Sequence, residues 1–538
     1  MPSRRNEKKA ANRRTSSTKK IIAYALIGIV ALGAVSVVAF SPRPAPVNPE
    51  EESRRLAFAQ FQERFCGSGE AGSTSFVTEL ELPGKCEMPL AIEYVGGEVW
   101  YVSTKNGTLT SYNANEGRFG ESYQAPSWPT RSSPTTFSMS WSAKSDDNGN
   151  IWFTDERQRA LWRFDTENNV FSMFPVSARL PAAIDFDSQG NLYFAGVQST
   201  SIFIGDTSSM RDGTSNGIRE VPLPLDGFAG IDANLVSTGS LTVDREKNVV
   251  WVSLLAFQQK GQIFKYDIGT DTVTKTVDLP ADLNSPVGIA LDTAGDLWVT
   301  DHGTNIFFKY DPDTEEITKF STSIASSRIY AGQDQQNAYT LPYWIERSPD
   351  TPLLWFNQHT GNKISSLDTE NLVLTEYWVP SQNENWALCP PEGTGSCGLS
   401  NALQITSGPE GKLWFSEWSE NKIGFVDGSK QTPVAISLAQ DSLTVGRGQS
   451  AEIRVSVDAS DNFDGRMIAS STLTPNGRFG NSSGIFSESA VSIPAGSSKQ
   501  ISFTFSAAGD IEPGKYVIML GAENGDVTVL KAVMVNIV

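Results

Sequence analysis

"LWVTDHGTNIFFKYD", residues 297–311, opens on a hydrophobic–aromatic–hydrophobic triplet, turns through a polar tip at Asp301–Thr304 and closes on a second apolar run before Asp311. Close variants of this fifteen-residue phrase start at residue 99 ("VWYVSTKNGTLTSYN"), 151 ("IWFTDERQRALWRFD"), 192 ("LYFAGVQSTSIFIGD"), 354 ("LWFNQHTGNKISSLD") and 413 ("LWFSEWSENKIGFVD"). A seventh copy, "VWVSLLAFQQKGQIFKYD" from residue 250, is three residues longer. Two apolar runs of strand length around a polar tip predict an antiparallel strand pair.

The surroundings of the phrase repeat as well. An apolar run such as "PVGIALD" from 286 precedes it, linked by turns reading "DNGN", "SQGN", "TAGD" or "PEGK". A further strand follows, as in "NVFSMFPV" from 169, "EEITKFS" from 315 and "LVLTEYWVP" from 372. Four short strands repeated every 41 to 59 residues cannot bury their faces alone and must stack on neighbouring copies. The expectation is an all-β chain whose residues 72–432 form a seven-bladed β-propeller. The last copy lacks its own fourth strand, whereas "SFVTELELP" at 75–83 stands unpaired before the first. That early strand is expected to complete blade seven and close the ring, leaving no open sheet edge there. Trp152, Trp298, Trp355 and Trp414, at position two of the phrase, are expected to pack between blades.

The ends differ in kind. Residues 1–20 hold eight Lys or Arg against one Glu, and residues 21–40, "IIAYALIGIVALGAVSVVAF", carry no charge. Twenty apolar residues match the thickness of a bilayer core, and a basic flank stays on the cytoplasmic side. The expected arrangement is a basic cytoplasmic tail (1–20), one transmembrane helix (21–40) and an extracytoplasmic remainder, a single-pass cell-membrane protein. A cleaved leader ending near "AVS" at 34–36 is the rival. Residues 41–71 read as a proline-rich spacer and a short helix presenting Leu56, Phe58, Phe61 and Phe65 along one face. Residues 433–538 alternate apolar and polar letters between Gly, Pro and Ser turns, which predicts an immunoglobulin-like β-sandwich.

Four cysteines fall as two close pairs, Cys66 with Cys86 and Cys389 with Cys397, and are expected to form two disulfides in an oxidising compartment. Their spacings of twenty and eight match no usual zinc pattern. Of the net charge of −18, residues 1–20 contribute +7, which leaves −25 on the rest and disfavours nucleic acid as a partner. Asn106 and Asn481 are formal glycosylation acceptors.

"LWFSEWSENKIGFVD" resembles the blade phrase of the streptogramin (virginiamycin) B lyase family, and the resemblance extends over about residues 72–430 with the same number of blades. It implies a seven-bladed propeller and, for lyases of that family, magnesium-assisted elimination that opens a cyclic depsipeptide ester. The family's essential histidines sit in a Pro-His-Gly/Ala-Ile pattern at the start of innermost strands. The matching positions here are Leu90, Ala182, Val287, Tyr343 and Leu403, with Trp141 and Ser240 in the two divergent blades, and none is histidine. A general base needs a group that takes a proton near neutral pH, which these side chains do not supply.

The chain's two histidines, His302 and His359, instead occupy position six of the phrase, on the face where the family's site lies. They are the candidate catalytic residues. Asp155, Asp301, Gln358 and Trp418 are candidate ligand contacts, and Glu156, Asp301 and Glu417 are candidate oxygen ligands for Mg or Ca. Two functions are expected from these residues. The first is a membrane-anchored, extracytoplasmic propeller binding a ligand, glycan or protein of a prokaryotic envelope. The alternative is a divalent-cation-dependent lyase, or a lactone or ester hydrolase.

Overall fold

In blades two, three and five the turn that links the first and second strands is built from one aspartate. In "DDNGN", Asp146 accepts from the backbone N–H groups of Asn148 and Asn150 at 3.0 Å each, and its other oxygen accepts from Trp152 Nε1 at 2.9 Å. Asp292 does the same for Ala294, Asp296 and the Trp298 indole. Gly149, Gly190 and Gly295 take the left-handed positions of these turns at φ +77°, +79° and +85°, where a side chain would be strained. The computed structural model describes residues 66–67, 70–129, 137–327, 329, 338–383 and 398–538.

Each repeat forms a four-stranded antiparallel sheet, over residues 89–124, 143–175, 180–222, 236–278, 286–321 and 342–378 for blades one to six. Blade seven is composite: the strands within 402–427 are completed by Val77–Glu81, which pairs with Lys422–Asp427 from Val77↔Val426 to Glu81↔Lys422. The innermost strand of every blade contacts that of the next, and Ala402–Ser407 returns to Pro89–Val95. The ring is closed as the sequence predicts.

The position-two tryptophans are buried. Trp152 shares a core with Ile184 and Phe194 of blade three, Trp298 with Ile345 and Phe356 of blade six, and Trp414 with Ile92 and Tyr101 of blade one. Position four adds a polar staple. Ser416 Oγ donates to Leu90 O at 2.6 Å, Ser253 Oγ to Val287 O at 3.2 Å, and Thr300 Oγ1 to Tyr343 O, each reaching the innermost strand of the following blade.

Residues 434–538 fold as two packed sheets. One contains Val434–Leu438, Ser450–Ala459, Ser498–Ser506 and Ser483–Phe486. The other contains Val527–Ile537, Gly514–Glu523, Phe463–Ser471 and Ala490–Ile493, with Ser442–Val445 running parallel to Val527–Ile537. The change of pattern near residue 433 does not coincide with a break in the sheet. Val527–Ile537 pairs with the outer strand of blade six, Val373↔Lys531 to Tyr377↔Val527, giving one nine-stranded sheet across propeller and sandwich.

Cys66 and Cys86 are disulfide-bonded with their Cα atoms 5.3 Å apart. Cys389 and Cys397, the apolar segment 21–40 and the expected helix with Leu56 and Phe58 lie outside the described residues. Among the described residues no helix is long and apolar enough to cross a membrane. Asn106 and Asn481 are both exposed.

Candidate functional site

Position five of the phrase ends the second strand, and its side chain turns inward. Asp155 accepts from Ser138 Oγ at 2.6 Å, Gln158 Nε2 at 3.0 Å and Trp162 Nε1 at 3.2 Å. Asp301 accepts from the backbone of Ser285 at 2.8 Å and Gly303 at 3.0 Å, and from Thr304 Oγ1 at 3.1 Å. Both are fully buried, and burial pushes Asp301 up to about 6 despite these bonds. Their carboxylates organise the blade tips, which accounts for an acidic letter at position five without any ligand.

Position six brings the two histidines together. Their rings lie 5.4 Å apart and nearly parallel, at 9°, and Tyr343 lies 4.6 Å from His302 and 6.3 Å from His359. Neighbouring blades five and six place them: the His302 N–H donates to Ser285 O and the His359 N–H to Leu341 O. Glu156 and Trp418, at the same position in blades two and seven, are turned to other partners. Glu156 Oε2 accepts from Trp141 Nε1 at 3.1 Å, and Trp418 Nε1 donates to Thr104 Oγ1 at 3.1 Å beneath Phe137.

The partners fix the tautomers. Asn401 donates through Nδ2 to Ser419 Oγ, so its Oδ1, 3.2 Å from His359 Nε2, accepts a hydrogen bond from the N–H at that nitrogen. His359 Nδ1 then carries the lone pair, and it is buried with no hydrogen-bond partner among the described residues. His302 Nδ1 lies 3.4 Å from Pro342 O, a pure acceptor, which leaves the Nε2 of that ring as its lone pair. Burial and the neighbouring His359 ring hold His302 down to about 3, and burial holds His359 down to about 4. Both imidazoles are therefore neutral at physiological pH. The two imidazole Cε1–H signals are expected to stay at their neutral shifts from pH 8 to pH 5; movement with a midpoint near 6.5 would contradict the burial. Because the unfolded chain protonates near 6.5 and the folded chain does not, this pair lowers stability as pH falls through that window.

At the end of the innermost strands away from this site, side chains meet across the ring. Tyr343 is the second residue of the innermost strand of blade six, Pro342–Arg347; Trp344 follows and packs against two apolar clusters, and Glu346 lies near the other end. There Lys144 of blade two reaches Glu346 Oε1 at 2.9 Å across the axis. Glu93 and Asp185 flank it on the same level, all four residues sitting opposite a position-two residue of their own blades. Cavities of about 240 Å³ and 580 Å³ lie elsewhere, on the outer parts of blades one and five.

Two buried quartets were not anticipated from sequence. In blade six Gln358 Nε2 donates to Glu376 Oε1 at 2.8 Å, and Lys363 Nζ bonds Glu376 Oε2 at 2.7 Å and Ser323 Oγ at 2.8 Å. Blade seven repeats it with Glu417, Glu79, Lys422 and Ser381: Lys422 Nζ lies 3.3 Å from Glu79 Oε2, and Ser381 Oγ donates to Glu79 at 2.6 Å. Glu420 adds a third carboxylate 3.6 Å from Lys422. Glu417 replaces the amide donor of Gln358, and burial and the Glu79 carboxylate raise it well above the usual range. The shared letters "NKI" after the tip and "TE" in the fourth strand were the available signal.

The residues present do not fit a magnesium or calcium ion. Asp301 is committed to its turn, Glu156 is bonded to Trp141 and Glu417 faces Glu79. Among the described residues no three His, Cys, Asp or Glu side chains are placed to hold a metal. At the positions matching the resembled family's histidines, Leu90, Ala182, Leu403, Trp141 and Ser240 are buried and Val287 and Tyr343 half-buried.

No family model matches the chain, and no curated protein sequence does. Among solved structures, it is similar to virginiamycin B lyase from Staphylococcus aureus at 19% identity, covering 65% of this chain and 98% of that one with a TM-score of 0.47. A catalytically inactive variant of that lyase with quinupristin gives 19% identity over 65% and 98% of the two chains and a TM-score of 0.48. Hydrazine synthase of Kuenenia stuttgartiensis gives 10%, 66% and 99%, and 0.47. Its own sheets make the chain an all-β protein built on a closed ring of four-stranded blades.

Proposed function

We propose that this protein is a membrane-anchored, extracytoplasmic binding propeller whose recognition face is centred on His302, Tyr343 and His359. The observation that carries the reading is a pair of neutral imidazoles on neighbouring tips of blades five and six, one with a buried lone pair that has no partner among the described residues. A buried acceptor left unpaired costs about 1–3 kcal/mol, which a ligand hydroxyl or amide N–H recovers. The half-buried Tyr343 ring beside the imidazoles offers a flat apolar surface. Together they suit an uncharged ligand rich in hydroxyl or amide groups, such as an envelope glycan. The uncharged segment 21–40 with its basic flank supports the anchor, and the net charge of −25 beyond residue 20 supports a non-nucleic-acid partner.

The test is saturable binding of neutral oligosaccharides and peptides of envelope type to the full chain in detergent, beside a panel of esters and lactones with and without Mg. Binding weakened about tenfold or more in His302→Ala/His359→Ala supports the reading, a loss of about 1.4 kcal/mol or more. Binding that the double substitution leaves untouched overturns it. Turnover abolished by the same substitution would establish the enzyme alternative in its place.

A further inference from the structure

One asparagine lies between the sandwich and the histidine pair. Asn305 follows the His302 tip in blade five and is fully buried. Its N–H donates to Pro475 O at 2.7 Å and its Nδ2 to Asn476 O at 3.1 Å, both carbonyls belonging to the "TPNGR" turn of the sandwich. On the other side its Oδ1 accepts from Thr340 N at 2.8 Å. Thr340 also shares a hydroxyl hydrogen bond of 2.7 Å with Thr322, whose N–H donates to Asn305 O. A single side chain therefore joins a sandwich turn to the segment leading into blade six.

That segment carries the contacts that position both rings. Thr340 O accepts from Thr360 N and Gly361 N, immediately after His359. Leu341 donates from its N–H to Thr304 O at 3.2 Å and accepts from His359 N at 3.0 Å, and the next carbonyl, Pro342 O, is the partner of His302 Nδ1. Leu341 holds φ +50°, a left-handed conformation that a branched residue keeps only where its surroundings impose it. Thr340, clamped by Asn305, is the residue directly before it.

The sandwich end is equally constrained. Gly477 takes φ +77°, and a Cβ there would stand 2.9 Å from Ser321 Oγ and 3.3 Å from Asn305 Nδ2. The turn is thus seated against blade five at the point where its two carbonyls meet Asn305. Ser470 Oγ donates to Ser321 O beside it at 3.4 Å.

We propose that Asn305 is a positioning residue through which the C-terminal sandwich sets the geometry of the His302–His359 pair. The sandwich is then part of the binding face's construction, and a load or ligand on the sandwich changes what the propeller mouth accepts. This rests on the proposed binding role of the pair for its functional meaning, while the coupling itself is read without any ligand.

The chain contains two histidines, so full-length protein labelled at histidine Cε1 gives two imidazole signals. Asn305→Ala and, in the sandwich alone, Gly477→Val are each expected to shift both signals by several linewidths. The rate at which diethylpyrocarbonate modifies His359 is expected to rise several-fold as the ring loosens. Lys515→Ala, which breaks an exposed sandwich–blade five ion pair at Glu316 without touching Asn305, is expected to leave both readouts unchanged. Unmoved signals in Gly477→Val overturn the proposal, as do equal shifts in Lys515→Ala, which would mean general loosening. Should Asn305→Ala fail to fold, Gly477→Val decides alone. Failure of saturable ligand binding, by contrast, removes the binding role and leaves this coupling standing.

Discussion

Lys422→Met is expected to lower the stability of the chain by about 3–5 kcal/mol, the cost of breaking a buried ion pair by removing one partner. Lys422 is 1% exposed and is the cation shared by Glu79 and Glu420, both also buried. Its removal leaves the buried Glu79 and Glu420 side chains without the cation they share, while Glu79 keeps Ser381 and the Gly72 N–H as hydrogen-bond donors. Glu79 sits on the strand that closes the ring, so the loss falls on the pairing of Val77–Glu81 with Lys422–Asp427. Guanidinium unfolding measures the effect, with Lys515→Met as the comparison. Lys515 is 81% exposed and pairs with a half-exposed Glu316, so that change is expected to stay within about 0.5 kcal/mol. A loss below about 1 kcal/mol for Lys422→Met would show that the closure does not depend on the buried cation.

Glu417→Gln is expected to act in the opposite direction and to depend on pH. Blade six places Gln358 at this position, where its amide donates to Glu376; a carboxyl facing Glu79 reproduces that bond only by keeping its proton. The unfolded chain releases this proton in the ordinary glutamate range, whereas the folded chain retains it to higher pH. Between those two points the folded state binds more protons, so stability falls as pH rises, by up to about 1.4 kcal/mol per pH unit. Glutamine supplies the donor without a titrating group. The variant is therefore expected to gain stability over the parent as pH rises from 5 to 8, the gap widening through that interval. Glu87, Glu93, Asp185 and Glu420 are also raised by burial and act with the same sign, so the difference between parent and variant isolates Glu417. A constant gap from pH 5 to pH 8 would place the proton elsewhere.

The fold was legible because the repeat states it many times over. Hydrophobic alternation places a strand pair in each copy, and the orphan strand at 75–83 had one vacant place to fill. The candidate site was legible only in outline. Position six of blades five and six was read as one region, and the two rings stand 5.4 Å apart there. The letters at Asp155, Asp301, Glu156, Glu417 and Trp418 suggest contacts open to a ligand or metal, yet Asp155, Asp301, Glu156 and Trp418 are hydrogen-bonded in the interior and Glu417 is buried facing Glu79. A polar letter at a strand end signals an unmet hydrogen-bonding need and does not say whether the protein or a ligand meets it.

By itself the sequence determined the seven-bladed ring, its composite closure, the packing of the position-two tryptophans and the absence of histidine at Leu90, Ala182, Val287, Tyr343 and Leu403. These follow from periodicity and residue identity, which are local properties of the chain. The tertiary structure alone decided that Glu417 faces Glu79, that Lys144 bridges the axis to Glu346, and that Asn305 ties a sandwich turn to the histidine segment. It also decided that the last strand of the chain extends blade six into the sandwich. The physical reason is that these contacts join residues outside the repeat, most of them one hundred and fifty or more positions apart, where no periodicity carries information, and their protonation and strain are set by what burial brings beside them.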